Sequence, residues 1–323
     1  MIARRGLLAT PFILGAAGAS AQAAFPNRPV RVIIPWPPGQ ATDLAARVMA
    51  QRLTETLGQP FVAENRAGAG GLIGTDQVAK AAPDGYTLLA ASTGPIVTSP
   101  LVQRTPFNAE RDFAPISITG IAPLILVVPP NFPAQNAADF IALLKANPGR
   151  YTFSSSGTGA TAHIIASWFH ALAGVDVVHV PFAGSAPALT AVMGGHVNYS
   201  IETVAAAGAA VRNGQLRALG ISFRNGSILA PGVPPLAALP GLAAFDGGAW
   251  IGLMAPAGTP QAIIERIDGE VGRAMQLPEM RERVAAAGLE PDYRNASAMA
   301  TYIATQRAAF AEAIRVANIR IEG

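Results

Sequence analysis

The chain has 323 residues, half of them hydrophobic and 13% charged, with a formal net charge of +3 and no cysteine. That size and apolar content suit two domains or one large α/β domain with a substantial core, and argue against disorder. The lack of cysteine excludes disulfides, thiolate catalysis, Cys-based zinc sites and Fe–S clusters, and no basic run is dense enough for nucleic acid.

In chain order, Arg4-Arg5 precede the apolar run Leu7–Leu14, and small residues follow as far as Ala21-Gln22-Ala23. A positive n-region, a short h-region and an A-x-A cleavage site predict a signal peptide over 1–23 and a periplasmic mature chain from Ala24. The paired arginines leave ordinary secretion and twin-arginine export both open. A membrane anchor needs about 18 or more apolar residues, and Pro11 interrupts this run. Once Arg4 and Arg5 are removed the charges nearly balance, so whatever selects a ligand must be local.

Strands are expected at Val30–Ile34, Phe61–Glu64, Tyr86–Ala90, Leu124–Val128, Tyr151–Phe153, Val177–Val180, Val197–Ile201, Leu216–Ile221 and Trp250–Met254. Helical spacing covers Leu44–Leu57, Ile73–Ala81, Ala137–Ala146, Ala162–Leu172, Ala186–Met193 and Val204–Arg212, and then Pro260–Met275, Pro278–Ala287 and Ser297–Asn318. Such alternation predicts an α/β fold with mostly parallel sheets flanked by helices. Residues 95–123 and 227–248 lack clean periodicity and read as crossings between lobes. The expected division is a discontinuous first lobe, 24–123 plus 223–323, and a second lobe, 124–222.

Four times a strand runs into a Gly/Ser/Thr turn that opens a helix: Pro38–Asp43, Ala91–Gly94, Ser154–Thr161 and Phe182–Ser185. A helix N-terminus carries unpaired N–H groups and roughly +0.5 charge, so it holds an anion without lysine or arginine. Each turn alone is more simply a capped helix start. Four of them across two lobes point to a shared cleft at the carboxyl ends of the strands. Asp43 has two open readings, as a cap for the helix that follows or as a group facing the ligand. Glu202, with Thr203 at a strand end, either faces the cleft or lies on its rim. Trp36 and Trp250 either cover a ligand body or belong to the core.

Other motifs are weaker. Gly68-Ala69-Gly70-Gly71-Leu72-Ile73-Gly74 has isoleucine where G-x-G-x-x-G requires its last glycine, and reads as a structural turn. Ala90-Ala91-Ser92-Thr93-Gly94 approximates a nucleophile elbow without its first glycine, leaving an exported hydrolase using Ser92 as an alternative. No metal-ligand spacing is present; His163 and His170 stand seven apart. His170 reads as a packed face residue, and His163 as a polar contact near the cleft.

Five stretches then carry a resemblance: Pro35-Trp36-Pro37-Pro38-Gly39 with Thr42-Asp43, Glu64–Gly71, Ala82–Leu89, His179–Leu189 and Ala255–Pro260. In this order they make the chain similar to the periplasmic substrate-binding receptors of tripartite tricarboxylate transporters, the Bug family. The resemblance implies a two-lobed, hinge-closing periplasmic-binding-protein fold of type II with the ligand cleft between the lobes. It implies a small carboxylate as ligand, delivery to the membrane components of the transporter, no catalysis and no cofactor; a monomer is expected. A sensor-associated protein of the same fold stays open as a second alternative. The ligand-binding residues carried over are Trp36, Gly39, Gln40, Ala41, Thr42 and Asp43, then Ser156, Gly157, Thr158, Gly159, Ala160 and Thr161, and Gly184 with Ser185. Thr93, His163, Glu202 and Thr203 join them from the turns above. Three departures mark this chain: Gln40 stands for a second glycine, Ala183 where lysine is common, and Glu202 where aspartate is common.

Overall fold

Val30–Ile34 (β1) is apolar except for Arg31, with its other four residues buried, as a strand covered on both faces requires. In the computed structural model, which describes residues 25–316, β1 pairs in parallel with Phe61–Asn65 (β2) and Thr87–Ser92 (β3). The expected signal peptide and the last two residues of the helix expected to reach Asn318 lie outside the described residues. Helices Ala41–Leu57 (α1) and Leu72–Ala79 (α2) connect these strands. After the Ala91–Gly94 turn, where the sequence suggests a helix start but 95–123 shows no clean periodicity, a wide π-type turn, Gly94–Thr98, runs into the short helix Ser99–Val102 (α3).

The 16-residue strand Phe113–Val128 (β4) is the axis of the molecule. Its first part pairs antiparallel with Gly248–Pro256 (β9), and its last part with Tyr199–Thr203 (β7) and Arg217–Ile221 (β8). The sequence suggests a strand only from Leu124. The earlier half carries Pro115, Gly120 and Pro123, its pairing with β9 shifts register twice, and it is largely buried, so no period-2 alternation survives to be read.

Beyond β4 the chain forms Ala137–Lys145 (α4), Thr152–Ser155 (β5), Thr161–Ala173 (α5), Val178–Pro181 (β6), Ser185–Met193 (α6) and, after β7, Val204–Arg212 (α7). It closes with Gln261–Gln276 (α8), Pro278–Ala286 (α9), Glu290–Asn295 (β10) and Ala296–Val316 (α10). The strand order β2-β1-β3-β9-β4 continues as β7-β5-β6, with β10 and β8 also on β4. Parallel pairing holds within β2-β1-β3 and β7-β5-β6, while the strands that join these sets add antiparallel ladders. β10 is unexpected from Glu-Pro-Asp-Tyr-Arg-Asn, a poor strand former; β4 recruits it, with a break in register between Pro291 and Arg294.

Two helices cover one face of the first strand set. Ala45, Met49 and Leu53 of α1 join Ile264, Ile267 and Val271 of α8 over Val32 and Leu88. In the second set, Phe169 of α5 packs with Phe153 and Tyr199. This packing aims the carboxyl ends of β1 and β3 at those of β5, β6 and β7.

Candidate functional site

Where those strand ends meet, the first residues of three helices and the cap residue of a fourth line one small cavity of about 40 Å³. Ala41 and Thr42 open α1, Thr161 and Ala162 open α5, Ser185 opens α6, and Thr203 is the residue before α7. The first hydrogen bond of α1 runs from Leu44 N–H to Gln40 O at 3.0 Å, and that of α5 from Ile164 N–H to Ala160 O at 3.2 Å. The earlier N–H groups of both helices therefore have no intrahelical acceptor. In α6 the first such bond is Ala188 N–H to Gly184 O at 3.4 Å, and Pro187 has no N–H to place. Trp36, Gln40, Ser92, Ser156 and Glu202 complete the polar wall, with Leu124, Ala249 and Ile251 as the apolar part.

Glu202 is the only ionisable side chain in this lining, and it is 1% exposed. Its Oε2 accepts the Ser185 hydroxyl at 2.9 Å and the Thr203 N–H at 3.4 Å, while Oε1 is buried with no partner. Burial pushes its pKa up to about 7, against the nearby polar groups of Ser185, Ser156 and Thr203, which favour the ionised form. Gln40 brings an opposite need, a buried Nε2 with no acceptor. A Cβ on Gly184 would come 2.9 Å from that Nε2, and Gly184 has φ +133°, so the turn before α6 has room for no side chain.

Trp36 donates its indole N–H to the Ser92 hydroxyl at 3.0 Å. No described histidine meets Ser92: His163 Nδ1 takes the Gly159 N–H at 3.2 Å, His170 pairs with the Tyr199 hydroxyl at 2.7 Å, and His179 with the Ser155 hydroxyl at 2.7 Å. In the Ser155–His179 pair Ser155 is fully buried and His179 partly so. Burial holds His163 and His170 down to about 3 and His179 to about 4, so all three are neutral near pH 7; repulsion from His179 lowers His163 further. Among the described residues no group of three or more His, Cys, Asp or Glu is placed to hold a metal ion.

Several residues singled out from sequence stand behind the cavity wall. Asp43 is buried; its carboxylate accepts the Gly39 N–H at 2.9 Å, Arg47 Nε at 2.9 Å and Asn65 Nδ2 at 2.8 Å. It ties the loop to α1 from within the first turn, the role nearer to capping, and it consumes the Gly39 N–H. The Gly157 and Ala160 N–H groups are likewise taken, by Ser155 Oγ at 3.3 Å and Gly157 O at 3.2 Å. Both peptide groups of Gly159 are engaged, its oxygen by the hydroxyls of Thr98 at 2.8 Å and Ser99 at 3.2 Å. Thr93 is fully buried and accepts the Trp250 N–H at 2.8 Å; Trp250 itself is core. Thr158 turns its carbonyl toward Gly70, where a Cβ would come within 3.2 Å.

Beside the first cavity lies a second of about 250 Å³, sharing Trp36 and Ser156. Pro37, Phe182 and Ala183 face the Ala67–Gly71 loop across it, with no charged side chain. The sequence reading treats that loop as a plain turn; its signal is the absence of side chains where two backbones approach. The sequence reading does not single out Leu124 or Ile251, which read as ordinary strand residues, nor Ala249, which falls just before the expected strand Trp250–Met254.

Residues 45–319 match the family described as tripartite tricarboxylate transporter family receptor. Protein BugT of Bordetella pertussis is 37% identical over 300 residues, 92% of each chain. A Rhodopseudomonas palustris protein solved with adipate superposes with a TM-score of 0.87 at 29% identity, covering 92% of this chain and 99% of that one. MatC of Rhodopseudomonas palustris, solved with bound malate, does so with a TM-score of 0.82 at 31% identity, covering 90% and 100%. The chain is a member of the tripartite tricarboxylate transporter receptor family and has its periplasmic-binding-protein fold.

Proposed function

We propose that this protein is an exported, monomeric solute-binding receptor that captures a small carboxylate in the cleft and delivers it to the membrane components of a tripartite tricarboxylate-type transporter. The observation that carries this reading is the convergence of four helix starts on one buried cavity without a lysine or arginine. Unpaired N–H groups with aligned dipoles favour an anion there, and a carboxylate is the anion whose two oxygens several N–H and hydroxyl donors can share. The relatives solved with adipate and malate support the same class. The uncharged second cavity is the space for the rest of the ligand.

We read 24–123 with 223–323 as one lobe and 124–222 as the other, hinged along β4. The Thr98 and Ser99 hydroxyls, which hold the Gly159 carbonyl, then act as a clasp between the lobes in the closed state. A binding role without catalysis is supported by Ser92, whose hydroxyl faces an indole N–H and no base.

The test is a thermal-shift panel on the chain from Ala24, with carboxylates set against their neutral amides. Ligand bound to the folded state raises Tm by mass action. Carboxylates that shift Tm while their amides do not support the reading; amides that shift it where no carboxylate does would sink it.

A further inference from the structure

The family reading leaves one group unexplained. A cavity built from helix N-termini to attract an anion has a carboxyl group in its own lining, and one of that group's oxygens, Oε1, is buried with nothing to bond. The space is about 40 Å³, enough for one carboxylate-sized group and no more. An anion held there lies against Glu202 Oε1. Two carboxylates in that contact cannot both stay ionised in a dry site, and a carboxylate offers no donor to an ionised Glu202.

We propose that Glu202 is the proton-carrying partner of the bound ligand: it takes up one proton when a carboxylate enters, and its Oε1–H donates to a ligand oxygen. The deprotonated ligand accepts, the Ser185 hydroxyl continues to donate to Oε2, and no bond other than that to the proton is made or broken. Gln40 Nε2, the second unpartnered atom in this wall, supplies another donor to the same anion. This rests on the carboxylate reading above and adds to it that binding is coupled to proton uptake.

The surroundings leave Glu202 to titrate alone. On β7 it pairs with Ile125 of β4, and the Ser185 and Thr203 ends of α6 and α7 carry no charge toward it. Asp43 of α1 is turned to Gly39, Arg47 and Asn65, and His163 of α5 to Gly159; neither lines the cavity. Burial already pushes the free group up to about 7, so at pH 6 most molecules hold the proton before the ligand arrives and at pH 8.5 few do.

Isothermal titration with adipate, benzoate and malate, at pH 6 and pH 8.5 and in buffers of different ionisation enthalpy, counts the protons. Benzoate, and adipate at pH 8.5, have essentially no donor. The expectation is uptake of nearly one proton at pH 8.5 and little at pH 6, with affinity falling about tenfold per pH unit above 7. Glu202→Gln keeps a donor in place without titrating, and is expected to bind with no proton uptake and equally at both pH values. Binding of adipate or benzoate at pH 8.5 with no proton uptake overturns the proposal and leaves the carboxylate reading standing. So does binding of malate alone without uptake, which makes Glu202 an ionised acceptor for the ligand hydroxyl, or loss of all binding in a folded Glu202→Gln. If none of the three binds at either pH, both readings fall together.

Discussion

Asp43 and Gly39 are joined by a 2.9 Å hydrogen bond from the Gly39 N–H to the buried carboxylate four residues on. Arg47 and Asn65 hold the same carboxylate, and Asn65 also donates to the Trp36 carbonyl at 2.9 Å. One acid thus shapes the whole turn that presents Trp36, Gln40 and Thr42 to the cavity. Asp43→Ala strands three donors, two of them at least partly shielded from water, and is expected to cost about 2–4 kcal/mol in chemical denaturation. Its carboxylate affinity should fall too, because the loop loses its shape although Asp43 does not line the cavity.

Trp36→Phe keeps the ring in the wall but removes the N–H that the buried Ser92 hydroxyl accepts. A loss of about 1–2 kcal/mol in stability is expected. Ser92→Ala should cost no more than that and should leave carboxylate binding measurable by thermal shift. A Ser92→Ala variant that lost an esterase activity present in the parent would contradict the binding-only reading.

Gly184→Ala places a Cβ 2.9 Å from Gln40 Nε2, at a φ of +133° that L-residues rarely adopt. The two residues belong to the two lobes proposed above, so the substitution is expected to hinder closure more than folding. Carboxylate affinity should drop at least tenfold with a smaller change in denaturation midpoint; small-angle scattering with ligand would show whether the closed form is lost.

The histidines set the acid limb of stability. His163 and His170 are held at about 3 and His179 at about 4, below the ordinary 6.5, chiefly by burial. The unfolded chain therefore binds more protons between about pH 6.5 and 3, and stability is full above 6.5 and lost as pH falls. The slope is about 1.4 kcal/mol per pH unit for each of the deeply buried His163 and His170, and smaller for the partly exposed His179. Urea unfolding from pH 7.5 to 4 should show that decline, and His179→Gln, which retains a partner for Ser155, should make it shallower.

Glu202 acts in the opposite direction. Its folded pKa of about 7 lies above the ordinary 4.5, so its stability contribution is full below 4.5 and lost as pH rises through 7. In the ligand-free protein Glu202→Gln should be more stable than the parent at pH 8, on the order of 3 kcal/mol, with the difference shrinking toward pH 5. Denaturation at both pH values checks it.

The helices and most strands are legible because local spacing and turn chemistry dictate them: Val204–Arg212 and Val30–Ile34 match residue for residue. The first half of β4 is not legible, since a strand buried on both faces shows no alternation, and β10 is strand only because β4 offers it an edge. At the site, the glycine and serine turns before α1, α5 and α6 announce helix starts where they occur.

The sequence by itself determined the family, the order of elements and the turns that carry unpaired N–H groups, because these depend on residues close together in the chain. Only the tertiary structure decided which groups in those turns reach the cavity. Gly39, Gly157 and Gly159 have their N–H groups consumed by Asp43, Ser155 and His163, while Thr42, Thr161, Ser185 and Glu202 meet in the cavity wall. The upward shift of the Glu202 pKa is of the same kind: it comes from burial among elements distant in sequence, such as β4, β9, α1 and α5, and no local pattern records that.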